Sequence, residues 1–176
     1  MLKVSKVRFA TLLIFVIITL TGTISLAFSQ SEAKTKEEMR EIVSETAFLA
    51  EEEEETLRLI NEYRKENGLN ELKSVPKLQE IAKLKGEDIV KNNYFSHTSE
   101  NLGTPFEMLH DNGIDYEKAG ENLAGNTTPE RAVRSWINSP SHRDNILKEE
   151  YEYTGIAVVD SPIYGKVFVQ LFITID

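Results

Sequence analysis

The stretch Val167 to Ile175 restricts the fold more than any other part of the chain. Val167, Val169, Leu171, Ile173 and Ile175 fall on one face of an extended strand, and Phe168 and Phe172 fall on the other. An edge or half-solvated strand alternates apolar with polar residues, so a strand apolar on both faces has to be covered on both sides. Gly155 to Val159 is a second β-branched run, joined to the first through Asp160, Ser161, Pro162 and Gly165, and the two read as an antiparallel hairpin. Helical periodicity dominates everything before Tyr153. Helices first and strands last, around a sheet buried on both faces, give an α/β chain built as a three-layer α/β/α sandwich with a mostly antiparallel central sheet.

Three helices are announced by their start and stop residues. From Thr56, the residues Leu57, Ile60 and Tyr63 share a face, Glu54 is four residues before Arg58, and Gly68 supplies a stop. Pro76 opens the next helix, with Leu78, Ile81, Ala82 and Ile89 as its buried stripe, a Glu87–Lys91 pairing, and an end near Asn92 and Asn93. Thr128, Pro129 and Glu130 start the third, whose apolar pairs Ala132, Val133, Trp136 and Ile137 place Trp136 in the core, and Ser139 and Pro140 break it. A short helix, Phe106 to His110, is framed by Thr104 and Pro105 at its start and by Asn112 and Gly113 at its end.

The amino-terminal part is of a different kind. Lys3, Lys6 and Arg8 precede an apolar run from Phe9 to Phe28, the layout of an export signal, with Ala27 and Ser29 suited to cleavage before Gln30. About 20 apolar residues also match a bilayer core, so an uncleaved anchor stays open as the alternative. Both place the remainder outside the cytoplasm, and with no Cys after the run no lipoprotein anchor is expected. The expected division is residues 1–29 as signal or membrane anchor, 30–52 as an acidic stalk or linker, helical or flexible, and 53–176 as the folded domain. Removing those three bases from the 20 Lys and Arg leaves 17 against 29 Asp and Glu, a net charge of −12. So acidic a surface excludes a nucleic-acid backbone as partner. Contact with a membrane is expected only through the amino-terminal segment, if it is uncleaved.

With no cysteine, disulfides, thiolate metal sites and a Cys nucleophile are excluded, and any metal must be held by His and carboxylates. There are three histidines. His110 lies in the short helix beside Asp111 and reads as exposed or capping. His97 and His142 read as lying on irregular segments just past helices, where side chains often face a cleft. Between them in sequence comes Ala119-Gly120-Glu121-Asn122-Leu123-Ala124-Gly125, a carboxylate in a stretch of small residues. A Glu buried there needs a partner, and the histidines are available. The stretch reads as a loop, and Asn122, with amide donors and an acceptor, is suited to holding the backbone of that Glu121 loop.

Five motifs in order resemble the bacterial branch of the CAP superfamily, which includes cysteine-rich secretory proteins, antigen 5 and the plant pathogenesis-related proteins. They are Tyr94-Phe95-Ser96-His97, Gly120-Glu121-Asn122-Leu123, the stretch Trp136 to Leu147, the Gly155 to Val158 strand and Val169-Gln170-Leu171-Phe172. The resemblance spans roughly Thr56 to Asp176. It implies an SCP-like extracellular α/β/α sandwich with a cleft lined by two histidines and two acidic residues. His97, Glu121 and His142 match three of those positions. Eukaryotic members carry a Glu shortly after the tryptophan, where this chain has Asn138 and Ser139, and in the bacterial pattern Glu107 is the expected fourth residue.

His97, Glu107, Glu121 and His142 can act in three ways. They can hold a divalent metal such as zinc, which the resemblance implies; they can form an acid/base pair that activates water; or they can satisfy one another as a structural network. A triad of Ser141, His142 and Asp144 is disfavoured, because neighbours in sequence rarely meet with triad geometry and no Gly-x-Ser-x-Gly is present. The expectation is an extracellular or cell-surface binding module for a divalent metal and a small-molecule, lipid, cell-wall or protein ligand. A metal-assisted or acid/base hydrolase using the same cleft is the alternative.

Overall fold

The structure is a computed structural model describing residues 32–44 and 50–175. The described residues form six helices and a four-stranded sheet: α1 (32–44), α2 (Glu51–Glu66), β1 (Lys73–Ser74), α3 (Pro76–Asn92), α4 (Pro105–Asp111), β2 (Lys118–Asn126), α5 (Pro129–Asn138), α6 (Pro140–Ile146), β3 (Tyr153–Ser161) and β4 (Gly165–Thr174). The segment 1–29, read as signal or anchor, lies outside the described residues. Met39, Ile42 and Val43 of α1 pack on the core of the folded domain.

The sheet order is β1-β3-β4-β2, with β1 parallel to β3 and the other pairs antiparallel. The double-sided apolar pattern of β4 produces two cores. Val167, Val169, Leu171 and Ile173 face Leu78, Ile81, Ala82 and Ile89 of α3 and Met108 and Leu109 of α4. Phe168 and Phe172 face Ile60 of α2, Trp136 of α5 and Ile146 of α6. The expected α/β/α sandwich is therefore present, and its two helical layers bury opposite faces of one strand.

The hairpin is tight because Ser161 pairs with Gly165, whose φ of +77° supplies the left-handed residue that closes a three-residue loop. The five glutamates Glu51 to Glu55 begin α2, where negative charge suits the helix dipole. Arg58 pairs with Glu55 at 2.6 Å and Glu62 at 2.5 Å, not with Glu54 as its spacing suggested, and Glu87 pairs with Lys83 at 4.0 Å instead of Lys91. These are exposed i,i+3 and i,i+4 contacts, so the choice among neighbouring partners costs little.

Two expectations about local structure are corrected. His142 lies in α6, because Pro140 ends α5 but also fits the first turn of a new helix, where its missing N–H is no loss. The Glu121 segment is a nine-residue strand, β2, paired with β4 from Lys118↔Thr174 to Asn126↔Lys166. Its small residues have weak strand propensity, but β4 offers a long partner, and pairing overrides propensity. As an edge strand, β2 is covered by side chains: Trp136 Nε1 donates to the Leu123 carbonyl at 3.0 Å, and Asn145 Nδ2 to the Glu121 carbonyl at 3.2 Å.

Candidate functional site

β2 carries Glu121 into the protein, and the side chain is only 2% exposed. The segment after α3 brings His97 to it, with Nδ1 2.6 Å from Glu121 Oε1. A carboxylate can only accept, so Nδ1–H donates and the ring is oriented with Nε2 as the nitrogen left for another partner. His97 is 56% exposed, which leaves that nitrogen within reach of solvent or a ligand. Glu121 Oε2 is buried and has no hydrogen-bond partner among the described residues.

α6 reaches the same place from the other side. Asn122 Nδ2 donates to the His142 carbonyl at 3.1 Å, and Asn145 Nδ2 donates to Asn122 Oδ1 at 3.0 Å and to the Glu121 carbonyl. This amide lattice fixes α6, and with it the backbone of His142, against β2. The holding role expected of Asn122 is fulfilled, although it secures a helix to a strand and not a loop. Ser141 Oγ lies 3.4 Å from Ser139 Oγ, on the helix that carries His142.

Electrostatics distinguishes the three groups. The hydrogen bond to Glu121 raises the pKa of His97 against the opposing effect of burial. Burial raises the Glu121 carboxyl, while His97 and the charge of Lys85 pull it down. His142 is pushed below its ordinary value, first by burial and then by the positive charge on nearby His97. The two imidazoles are thus shifted in opposite directions, and His142 feels the charge of His97.

Glu107 has its partners elsewhere. Its Oε2 accepts from the Thr104 backbone N–H at 2.7 Å and the Thr104 hydroxyl at 2.9 Å, and the Glu107 N–H donates to Thr104 Oγ1 at 3.2 Å. Thr104-x-x-Glu107 is a capping box, and those hydrogen bonds hold the exposed carboxyl below the usual carboxylate range. His110 is exposed, with Nδ1 3.4 Å from Asp111 Oδ1.

Glu121 stands behind His97 as an orienting hydrogen-bond partner, the kind of carboxylate found behind histidines that ligate a metal. Among the described residues no three His, Asp or Glu side chains are grouped closely enough to enclose a metal. A closed cage of protein ligands therefore does not fit among the described residues.

A model of the cysteine-rich secretory protein family (CAP) matches residues 57–172, across the whole of this geometry. The chain belongs to the CAP family. It is 36% identical over 140 residues to YkwD of Bacillus subtilis (strain 168), covering 79% of this chain and 53% of YkwD. The chain thus spans about half the length of that curated relative. Among solved structures it resembles an extracellular protein containing an SCP domain from Bacillus anthracis, with a TM-score of 0.64 and 28% identity over 73% of this chain and 45% of that one. It also resembles an outer surface protein from Borrelia burgdorferi, with a TM-score of 0.67 and 25% identity over 75% of this chain and 98% of that one. The CAP fold expected from the five motifs is shown by both the family match and these neighbours.

Two residues at the CAP site escaped the sequence reading. Lys85 is fully buried in α3, and the signal for it was a lysine between Ile81 and Ile89, inside the apolar stripe. Asn145 had no distinguishing signal, since an amide on a short helix is ordinary.

Proposed function

We propose that this CAP domain is an exported or cell-surface binding module that holds a divalent ion such as zinc between His97 and His142 and takes a ligand alongside it. The observation that carries the reading is the 2.6 Å hydrogen bond from His97 Nδ1 to the buried Glu121 carboxylate. A carboxylate behind a histidine fixes the tautomer and makes the far nitrogen a better metal donor. The lowered pKa of His142 supports it, because a metal ligates the neutral imidazole. Such an ion would supply an open coordination position for an oxygen-bearing ligand.

A groove of about 510 Å³ runs along the His97 segment, lined by Asn92, Tyr94, Ser96, Thr98, Glu100 and Asn101. This lining has no cation to attract an anion, and its named side chains are mostly amides and hydroxyls. It suits a hydroxyl-rich ligand, such as a cell-wall fragment, better than the other ligands expected. Export is supported by the basic and apolar start of the chain and by the extracellular and outer-surface neighbours.

Isothermal titration calorimetry with zinc tests the metal site. His97→Ala and His142→Ala are expected to abolish binding, and Glu121→Gln to weaken it by about 10- to 100-fold, the usual effect of losing an outer-shell partner. Zinc affinity unchanged in both histidine variants would remove the site. The same short hydrogen bond favours a second reading, a hydrolase in which the His97–Glu121 pair activates water. Its mark would be turnover of a cell-wall substrate that Glu121→Gln eliminates.

A further inference from the structure

Lys85 puts an ammonium group inside an apolar helix stripe, where it has to be compensated by what surrounds it. The side chain is 0% exposed, and Nζ donates to the His97 carbonyl at 2.8 Å and to the Tyr94 hydroxyl at 3.1 Å. The ammonium also lies 5.0 Å from the centroid of the Tyr94 ring. Three residues further along α3, Asp88 Oδ2 accepts from the Tyr94 hydroxyl and the Ser99 hydroxyl, each at 2.6 Å. The segment from Tyr94 to Ser99 is thus tied at both ends to Asp88 and at its middle to Lys85. The middle tie falls on the residue that reaches Glu121.

A buried ammonium costs several kcal/mol in desolvation unless charges or good acceptors compensate it. A methionine in the Ile81–Ile89 stripe would pack there without that cost. Burial lowers the pKa of Lys85, and Glu121 and Asp88, the two carboxylates that act on it through space, offset part of that cost. One of them is the carboxylate of the site.

We propose that Lys85 is a positioning residue of the CAP site, holding the His97 carbonyl from within the core so that the imidazole is delivered to the Glu121 carboxylate. Its consequence for metal binding rests on the two-imidazole reading above; its consequence for the His97–Glu121 bond does not. The ammonium fixes the backbone at residue 97, and Tyr94 braces the ammonium. Without the tie, the segment stays fastened to Asp88 at its ends while its centre is free to swing.

The test compares the wild-type chain with Lys85→Met and with Tyr94→Phe, which keeps the ring but removes one acceptor of the ammonium together with the hydroxyl that donates to Asp88. In metal-free, ¹⁵N-histidine-labelled protein, the His97 Nδ1 proton bonded to Glu121 is expected as a protected, strongly downfield resonance. Lys85→Met is expected to abolish it, Tyr94→Phe to broaden it, and zinc affinity to fall by about 10-fold or more in Lys85→Met. If wild type shows the resonance and Lys85→Met loses it but wild type binds no zinc, the metal reading fails and the positioning role stands. An unchanged resonance in folded Lys85→Met overturns the proposal, as does its absence from wild type. Should Lys85→Met fail to fold, an unchanged resonance in Tyr94→Phe overturns it.

Discussion

Replacing Arg64 with Ala is expected to destabilise the domain by about 4 kcal/mol, because four carbonyls lose the same donor group. Arg64 is fully buried near the end of α2. Its Nε donates to the Asn70 carbonyl at 2.7 Å, Nη1 to Ile146 at 2.7 Å and Lys148 at 3.0 Å, and Nη2 to Tyr151 at 3.1 Å. The guanidinium therefore gathers the turn after α2, the end of α6 and the connection into β3 on one rigid fork. Its partners are carbonyls, and burial lowers its pKa. Each acceptor left unsatisfied in the interior costs about 1–3 kcal/mol, less where water can enter, so the sum exceeds the effect of an ordinary surface arginine several-fold. Arg64→Lys should recover part of the loss, since an ammonium has three donors and no planar fork. Urea denaturation measures it, and a loss below about 1 kcal/mol for Arg64→Ala would show that the fork does not hold these segments.

Gly155→Ala is the second large effect, and here the cause is contact with backbone. A Cβ at Gly155 would stand 2.2 Å from the Leu78 carbonyl carbon, 2.3 Å from its oxygen and 2.6 Å from the Gln79 nitrogen. None of these atoms can rotate away, so β3 and α3 would have to separate. Overpacking costs about 1–3 kcal/mol when side chains absorb it, and more when a helix must move, so a loss of about 3 kcal/mol or more is expected. Gly86→Ala is the control. Its new Cβ meets a side-chain atom, Val159 Cγ2 at 2.8 Å, which can turn, so its midpoint in urea should fall less than that of Gly155→Ala. Equal losses in the two variants would contradict this account of the α3–β3 approach.

The parts of the fold that were legible in the sequence are those where local chemistry and tertiary environment agree. The hairpin was legible because β-branched and aromatic residues alternate on both faces of β4, and α3 to α5 because Pro76, Pro105 and Pro129 each stand in a first turn. β2 was hidden because Lys118 to Asn126 has no β-branched residue, and its pairing with β4 is a long-range fact. α6 was hidden because a proline that ends one helix also begins the next.

The site divides in the same way. The pairing of Glu121 with His97 was legible through their motifs and through the cost of burying a carboxylate alone. Glu107 was drawn toward the cleft by a family pattern, while the Thr104-x-x-Glu107 spacing already contained the capping box that occupies it. Arg64 and Lys85 belong to residue types that are almost never fully buried without partners. Their partners are main-chain carbonyls and a tyrosine hydroxyl, to which side-chain pattern is blind.

His97, Glu121 and His142 are expected to behave as one electrostatic unit in a pH titration of the histidine rings by NMR. His97 is expected to titrate above its ordinary value and His142 below. The raised His97 value contributes stability that is complete below the unfolded imidazole's pKa and is lost as pH rises through the folded one. The depressed His142 value acts in reverse, contributing above the unfolded pKa and losing that contribution as pH falls through the folded one. Glu121→Gln should lower the His97 value, and His97→Ala should raise that of His142 by removing its positive neighbour. If neither substitution moves the other ring, the three side chains do not share a site.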